Sequence, residues 1–155
     1  MVKRILYYLI QWTWGFPQNL VGLILRLMHK NDYAEGECPY STKDPDEKGP
    51  ELYKGAVVTR WKKSDSLSMG MFLFMGYGAG PRFLKHEYGH SIQSLILGPF
   101  YLIAIGIPSF LWCNVPGCGM KWRDGRVSYF SVWHERWADR CGFRRDEDDG
   151  EQMQA

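Results

Sequence analysis

The sequence has little excess charge of either sign. Its 155 residues include 19 lysines and arginines and 17 aspartates and glutamates, so the net charge is +2. These charges are mixed along the chain, whereas proteins that bind nucleic acid usually cluster lysine and arginine on one face. The composition therefore gives no case for a nucleic-acid partner.

Cysteine is scarce, and no two of the four cysteines have the C-x-x-C spacing of a structural zinc knuckle. Cys113 and Cys118 flank a turn-like loop, so a small disulfide is one interpretation and a second metal site is another. Reduced thiols are favoured, because nothing else in the sequence suggests an oxidising compartment.

The N-terminal segment has no small-residue cleavage pattern. Lys3 and Arg4 precede an apolar run, as in a signal peptide, but without such a pattern we expect the segment to be retained and the protein to be cytoplasmic or membrane-associated. Proline and glycine interrupt the run, which predicts two helices joined or kinked at Pro17. Five residues line one face of the second helix: Leu20, Leu23, Ile24, Leu27 and Met28. A core-packing face is favoured, and an interfacial membrane helix with tryptophan anchors is the alternative.

Only one later segment is free of charged residues over the length that a membrane-spanning helix requires. Leu95 to Trp112 is 18 residues without a charge, but Gly98-Pro99, Gly106 and Pro108 interrupt it. A buried hairpin or re-entrant segment is therefore favoured over a span. The length fits one domain, here residues 1–145, followed by an acidic tail, residues 146–155, that we expect to be disordered.

The chain does contain two fragments with metal-ligating residues. His86 and His90 are four residues apart, so a helix places both imidazoles on one face, with Glu87 beside them as a candidate general base. A hydrolytic zinc site normally has three protein ligands and one position for water. Glu135 is the natural third ligand, although 44 residues separate it from His90. Asp139, four residues further on, could orient His86 or, alternatively, His90. Gly89 lies between the two histidines, and because glycine inside a helix costs about 1 kcal/mol relative to alanine, it predicts a close approach by another backbone.

Both fragments together resemble the gluzincin metallopeptidases, in which an H-E-x-x-H helix is completed by a downstream E-x-x-x-D. The resemblance extends to small bacterial-type proteins through segments that here read Gly70 to Met75, His86 to Ser94, Leu97 to Ser109 and Tyr129 to Asp139. It covers about half of the chain. It implies a zinc-dependent peptidase that acts on a peptide or protein substrate.

The resemblance also implies a fold and further roles. The expected class is α+β: a small antiparallel sheet or hairpin followed by a zinc-binding helix pair, with an apolar N-terminal helical segment. An edge strand would hold an extended peptide by backbone pairing, and Met69 to Met75 is the candidate, with an ordinary core strand as the alternative. Tyr129 and His134 are the candidates for stabilising the oxyanion.

Two other functions remain open. One is a non-catalytic, membrane-associated binding protein in which zinc is structural. The other is an intramembrane metalloprotease, suggested by the charge-free segment directly after the histidine pair.

Overall fold

The structure is a computed structural model that describes residues 2–29, 32, 51–76, 79–115, 125 and 128–152. The α+β class is confirmed. The helices are α1 (Val2–Thr13), α2 (Phe16–His29), α3 (Pro81–Leu97), α4 (Ile107–Asn114) and α5 (Trp133–Gln152). The strands are β1 (Glu51–Tyr53), β2 (Ala56–Arg60), β3 (Leu67–Met69) and β4 (Phe72–Met75). Short 3₁₀ turns lie at Gly98–Phe100 and Tyr129–Ser131, and a π-helical turn lies at Leu102–Gly106.

The four strands form a mixed sheet in the order β1-β2-β4-β3. β1 and β2 are an antiparallel hairpin, and β3 and β4 are another. The two hairpins join through β2 and β4, which run parallel with Val57 opposite Phe72. The sheet therefore contains the expected antiparallel hairpins, but it is mixed, because the two inner strands belong to different hairpins and point the same way.

The predicted peptide-binding edge, Met69 to Met75, was wrong. A turn at Gly70 and Met71 divides the segment, and only Met69 belongs to the edge strand β3. β4 lies between β2 and β3, and all four of its side chains are buried. Its backbone groups pair inside the sheet, so it matches the alternative interpretation, a core strand.

The core lies on both faces of this sheet. Alternate strand residues point to opposite faces, so Val58 and Leu73 pack with Tyr88 of α3 on one side. Phe72 and Phe74 pack on the other side, with partly buried leucines of α2 against them. α3 therefore has one face on the sheet and leaves its other face for α5.

The N-terminal segment forms two helices as predicted, but they are separated at Trp14 and Gly15, and Pro17 is the second residue of α2. The predicted core face of α2 was wrong, however, because most of it is exposed: Leu20, Ile24, Leu27 and Met28. The buried residues of α2 are Gln18, Asn19 and Gly22. The amide nitrogen of Asn19 donates to the backbone oxygens of Gln11 and Gly15, and its oxygen accepts from the backbone nitrogen of Met71. This polar network holds α1 and α2 against the sheet, and most of the large apolar side chains of α2 point outward.

Two glycines bring α3 and α5 into backbone contact. A Cβ atom at Gly89 would overlap the carbonyl of Ala138, and one at Gly142 would overlap the carbonyl of Lys85. The expected close approach of another backbone at Gly89 is therefore present. Side chains between the helices would hold them apart, so this contact is what allows residues of α3 and α5 to share one site.

Three other expectations concern particular segments. Among the described residues, no helix is both long enough and apolar enough to cross a membrane. The backbone of α5 is helical to Gln152, within residues 146–155, for which disorder was expected. Cys118 lies outside the described residues, so the expectation for a disulfide between Cys113 and Cys118 lies outside them too.

Candidate metal centre

The histidine pair lies on the buried central turns of α3. His86 and His90 are one helical turn apart, and their ring centroids are 4.8 Å apart at an interplanar angle of 88°. Both side chains are almost fully buried. Phe130 covers His86 from the side, with its ring centroid 4.9 Å away. The pair is thus held in a largely closed environment.

Glu135 of α5 completes the group that the sequence predicted. Its Oε2 atom lies 3.0 Å from His86 Nε2 and 3.4 Å from His90 Nε2. One ligand atom from each of the three buried residues lies within 4.8 Å of the others. The described residues therefore contain a buried His-His-Glu group that could hold a metal ion.

The other oxygen of Glu135 is held away from the histidine pair. Ser109 of α4 donates its hydroxyl to Oε1 at 2.5 Å. Burial alone would raise the pKa of Glu135, but the hydrogen bonds from His86, His90 and Ser109 outweigh it and keep that pKa well below its ordinary value. Glu135 is therefore a carboxylate that presents a single oxygen to the two imidazoles.

Asp139 lies behind His86, on the side away from Glu135. His86 Nδ1 donates to Asp139 Oδ1 at 2.7 Å, so of the two histidines that Asp139 was expected to orient, the structure places it at His86. Burial lowers the pKa of His86, but the hydrogen bonds to Asp139 and Glu135 outweigh it and raise the pKa to about 10. The ring is thus fixed by carboxylates at both nitrogens.

Gln93 plays the corresponding part for His90, and sequence reasoning assigned it no role. Its Oε1 accepts from His90 Nδ1 at 2.7 Å, while its Nε2 donates to the backbone oxygen of His134 at 2.8 Å. Because Gln93 Oε1 can only accept, His90 carries a proton on Nδ1, and Nε2 is the ring nitrogen that faces Glu135. Its position three residues after His90, on the same side of α3, was the available signal.

We expect Gln93→Leu to weaken metal binding about 10- to 100-fold, because the ring of His90 would lose the group that sets its tautomer and orientation. Gln93→Glu should restore much of that affinity, since a carboxylate also accepts from Nδ1. Competition with a chelator for added zinc measures both variants. Ser94→Ala is the matched control, because Ser94 is equally buried but accepts from Gln18 rather than from a histidine of the site. Equal affinities for Gln93→Leu and Ser94→Ala would contradict the orienting role.

Glu87 follows His86 on α3 and is buried beside the histidine pair. Its Oε2 atom has no hydrogen-bond partner among the described residues. Burial raises the pKa of Glu87, and the positive charges of His90 and His86 oppose that shift only in part. A buried carboxylate oxygen without a partner is uncommon and is typical of a group kept for chemistry.

Tyr129 and His134, the two oxyanion candidates, both lie near Glu135. The side chain of Tyr129 hydrogen-bonds to Ser109, and burial raises its pKa above the ordinary value. His134 Nε2 lies 3.4 Å from Glu135 Oε1, and neither ring nitrogen has a hydrogen-bond partner within the described part of the chain. Burial lowers the pKa of His134 and so favours its neutral form. His134 therefore adjoins the oxygen of Glu135 that faces away from the histidine pair, and Tyr129 is linked to that oxygen through Ser109.

Comparison of the chain with family models, with curated proteins and with solved structures finds no match. The geometry of the site is therefore the basis for assigning a function.

Proposed function

We propose that this protein is a zinc-dependent, peptidase-like hydrolase in which His86, His90 and Glu135 hold the metal and Glu87 is the general base. The observation that carries the proposal is the unpartnered, buried carboxylate oxygen of Glu87 beside a buried His-His-Glu group. A site that only held a metal for stability would not need this fourth, costly group.

Two of the three distances between ligand atoms match those around a tetrahedral ion, and all three ligand atoms lie within 4.8 Å of one another. Ligands about 2.0–2.1 Å from zinc are roughly 3.3 Å from one another in a tetrahedron, and Glu135 Oε2 lies 3.0 and 3.4 Å from the two imidazole nitrogens. The hydrogen bond from His90 Nδ1 to Gln93 supports this assignment, because a metal-ligating histidine usually donates its other ring N–H to a neighbouring group.

The ligand types favour zinc. Two imidazoles and one carboxylate are the protein ligands of several hydrolytic zinc enzymes, and three ligands leave one position for water. Zinc bound there would lower the pKa of that water toward neutrality and polarise the substrate carbonyl. Copper, iron and nickel also bind imidazole, so the identity of the metal needs direct measurement.

The residues of the chain then have separate tasks. Glu87 accepts a proton from the attacking water as the water oxygen bonds to the carbonyl carbon, and it passes this proton to the amine nitrogen as the C–N bond breaks. Asp139 and Gln93 keep the imidazoles oriented. Tyr129 or His134 stabilises the negative charge on the carbonyl oxygen.

Metal content and hydrolysis of a peptide mixture test this function together. The full-length protein, purified without chelators, should contain about one zinc per chain, because the three ligands converge only in the fold. Mass spectrometry should detect cleaved peptides, and a chelator should abolish the cleavage until zinc is returned. One zinc per chain without any cleavage would favour the structural-zinc alternative. No metal after purification and none on adding zinc would exclude both.

A further inference from the structure

Large apolar side chains are exposed mainly in two segments of the chain. Of the 20 that are exposed within the described residues, 17 lie in residues 5–28 or residues 96–111. Single exposed apolar residues are normal in soluble proteins, but a concentrated patch larger than about 300–600 Å² usually marks an interaction surface. These two segments therefore need an explanation beyond packing.

The exposed residues of the first segment form stripes along α1 and α2. On α1, Ile5, Leu9 and Trp12 recur every three or four residues, and on α2 the stripe begins at Leu20 and reaches Leu27, which is 59% exposed. Residues with this spacing share one face of a helix. Both helices therefore present a continuous apolar face outward.

The fully buried side chains of these helices are polar, whereas Leu23 and Leu25 are only partly buried against the sheet, and this differs from the usual arrangement. Gln11, Gln18 and Asn19 are fully buried, and Asn19 donates to the side-chain oxygen of Gln11 at 2.8 Å. Helices of water-soluble domains bury the apolar face and expose the polar one. Helices in contact with lipid do the reverse, with polar groups satisfied inside the protein and apolar side chains outside.

The second segment continues the pattern through the end of α3, the two short turns and α4. The exposed stripe starts at Ile96 and includes Phe100, Ile103, Ile107 and Phe110, again at steps of three or four residues. The buried residues between them, Tyr101 and Ile105, face the protein. Ser109, which donates to Glu135, lies on this inner side, so the same segment borders the metal site.

The two segments adjoin each other. A Cβ atom at Gly98 would overlap the indole of Trp14, so the backbone at the start of the second segment lies directly against the bend between α1 and α2. Gln18 donates to the backbone oxygen of Gly98 and to the hydroxyl of Ser94, both at 2.9 Å. The exposed stripes therefore belong to neighbouring parts of one surface, which we call the apolar face.

Charge and hydrogen-bonding groups favour a bilayer as the occupant of this face. Arg26 is the only charged residue between Ile5 and Met28, and it turns inward to bond Thr59 at 2.5 Å. Arg4 is exposed at the start of α1, where it could meet an anionic lipid headgroup. Specific protein interfaces need about one hydrogen bond per 100–200 Å², but the stripes offer few donors apart from indoles, which suit the headgroup level.

We infer that the apolar face docks this protein on the surface of a lipid bilayer, with the side chains of both segments in the outer acyl region. The amphipathic helices lie in the plane of the membrane. Docking requires no metal and no catalysis, so its test is independent of the test of the proposed hydrolase function.

Flotation with vesicles tests the inference. The full-length protein, purified in detergent and diluted into phosphatidylcholine vesicles with about a quarter phosphatidylglycerol, should float with the lipid. Leu27→Glu and Phe110→Glu each place a charge in one stripe and should lower the bound fraction roughly tenfold or more. Phe83→Glu is the matched control, because Phe83 is 44% exposed but lies about 20 Å along α3 from Ile96. Circular dichroism checks that all three variants are folded.

Three results would overturn the inference. The first is wild-type protein that is found only in the unbound fraction. The second is binding that depends on phosphatidylglycerol but is unchanged in Leu27→Glu and Phe110→Glu, because cationic groups alone would then attach the protein. The third result is a dimer in light scattering that both stripe variants dissociate and that does not bind vesicles, because the face would then be an interface with a second copy.

Discussion

Glu87→Gln should leave the bound zinc in place and reduce peptide hydrolysis by about 10²- to 10⁴-fold. The substitution preserves the shape of the side chain but removes the group that accepts the proton from water, and general bases contribute rate factors of this size. Glu87 is not one of the three ligand residues, so the zinc content should be unchanged. The test is single-turnover hydrolysis of a peptide that the wild-type protein cleaves, with the zinc content measured in the same sample.

Stability separates this catalytic role from a structural one. Burial raises the pKa of Glu87, so its ionised form costs folding free energy at neutral pH, above the pKa of the unfolded chain. Removing the carboxylate should therefore leave the free energy of unfolding equal or higher, whereas a structural Glu87 would make the variant less stable. Asp65→Asn is the matched control, because Asp65 affects Glu87 only through its charge and is itself exposed. Retained turnover in Glu87→Gln would refute the proposed base.

Glu135→Ala should cause a larger loss of zinc affinity than the loss of a group that only orients a ligand. It removes a ligand oxygen that faces both imidazoles and leaves two ligands, whereas Asp139→Asn removes only the charge behind His86. The loss for Asp139→Asn should be about 10- to 100-fold, which is typical of a group that orients a ligand histidine. The loss for Glu135→Ala should exceed it. Chelator competition at one pH ranks the two variants.

His134→Ala is the control for this ranking. His134 adjoins Glu135 and is equally buried, but it lies at the oxygen of Glu135 that faces away from the histidine pair. Its removal should leave the zinc affinity nearly unchanged. A fall as large as that of Glu135→Ala would make His134 a ligand, and unchanged affinity in Glu135→Ala would mean that the metal is held elsewhere.

The residues of the candidate site were predictable because their chemistry is local. Two histidines four residues apart share a face of any helix, and the same spacing relates Glu135 to Asp139. Gly89 was predicted to mark a close approach, because glycine inside a helix costs about 1 kcal/mol relative to alanine and needs a packing reason. The structure places Ala138 against it. Which histidine Asp139 would bond depended on how the two helices pack, and no sequence spacing contains that information.

Sequence reasoning failed where the outcome depended on long-range packing. The segment from Met69 to Met75 looks like one strand, but Gly70 folds it into a hairpin whose second strand occupies the centre of the sheet. Gln93 and Ser109 were not assigned because each acts on a residue of the site through one hydrogen bond, and glutamine and serine are common in other roles. Their function depends on which residues lie opposite them in the fold.

By itself, the sequence determined the helix that carries His86 and His90, the separate helix that carries Glu135, and the division of the N-terminal segment into two helices. Each of these follows from side-chain periodicity and from glycine or proline positions, which act within a few residues. The tertiary structure decided which face of α2 is buried, since Asn19 and Gln18 find hydrogen-bond partners only in the loops and helices packed around them. Periodicity shows that a helix has two different faces. Which of them faces the protein depends on whether its polar groups can be satisfied there, and that is decided by residues far away in the chain.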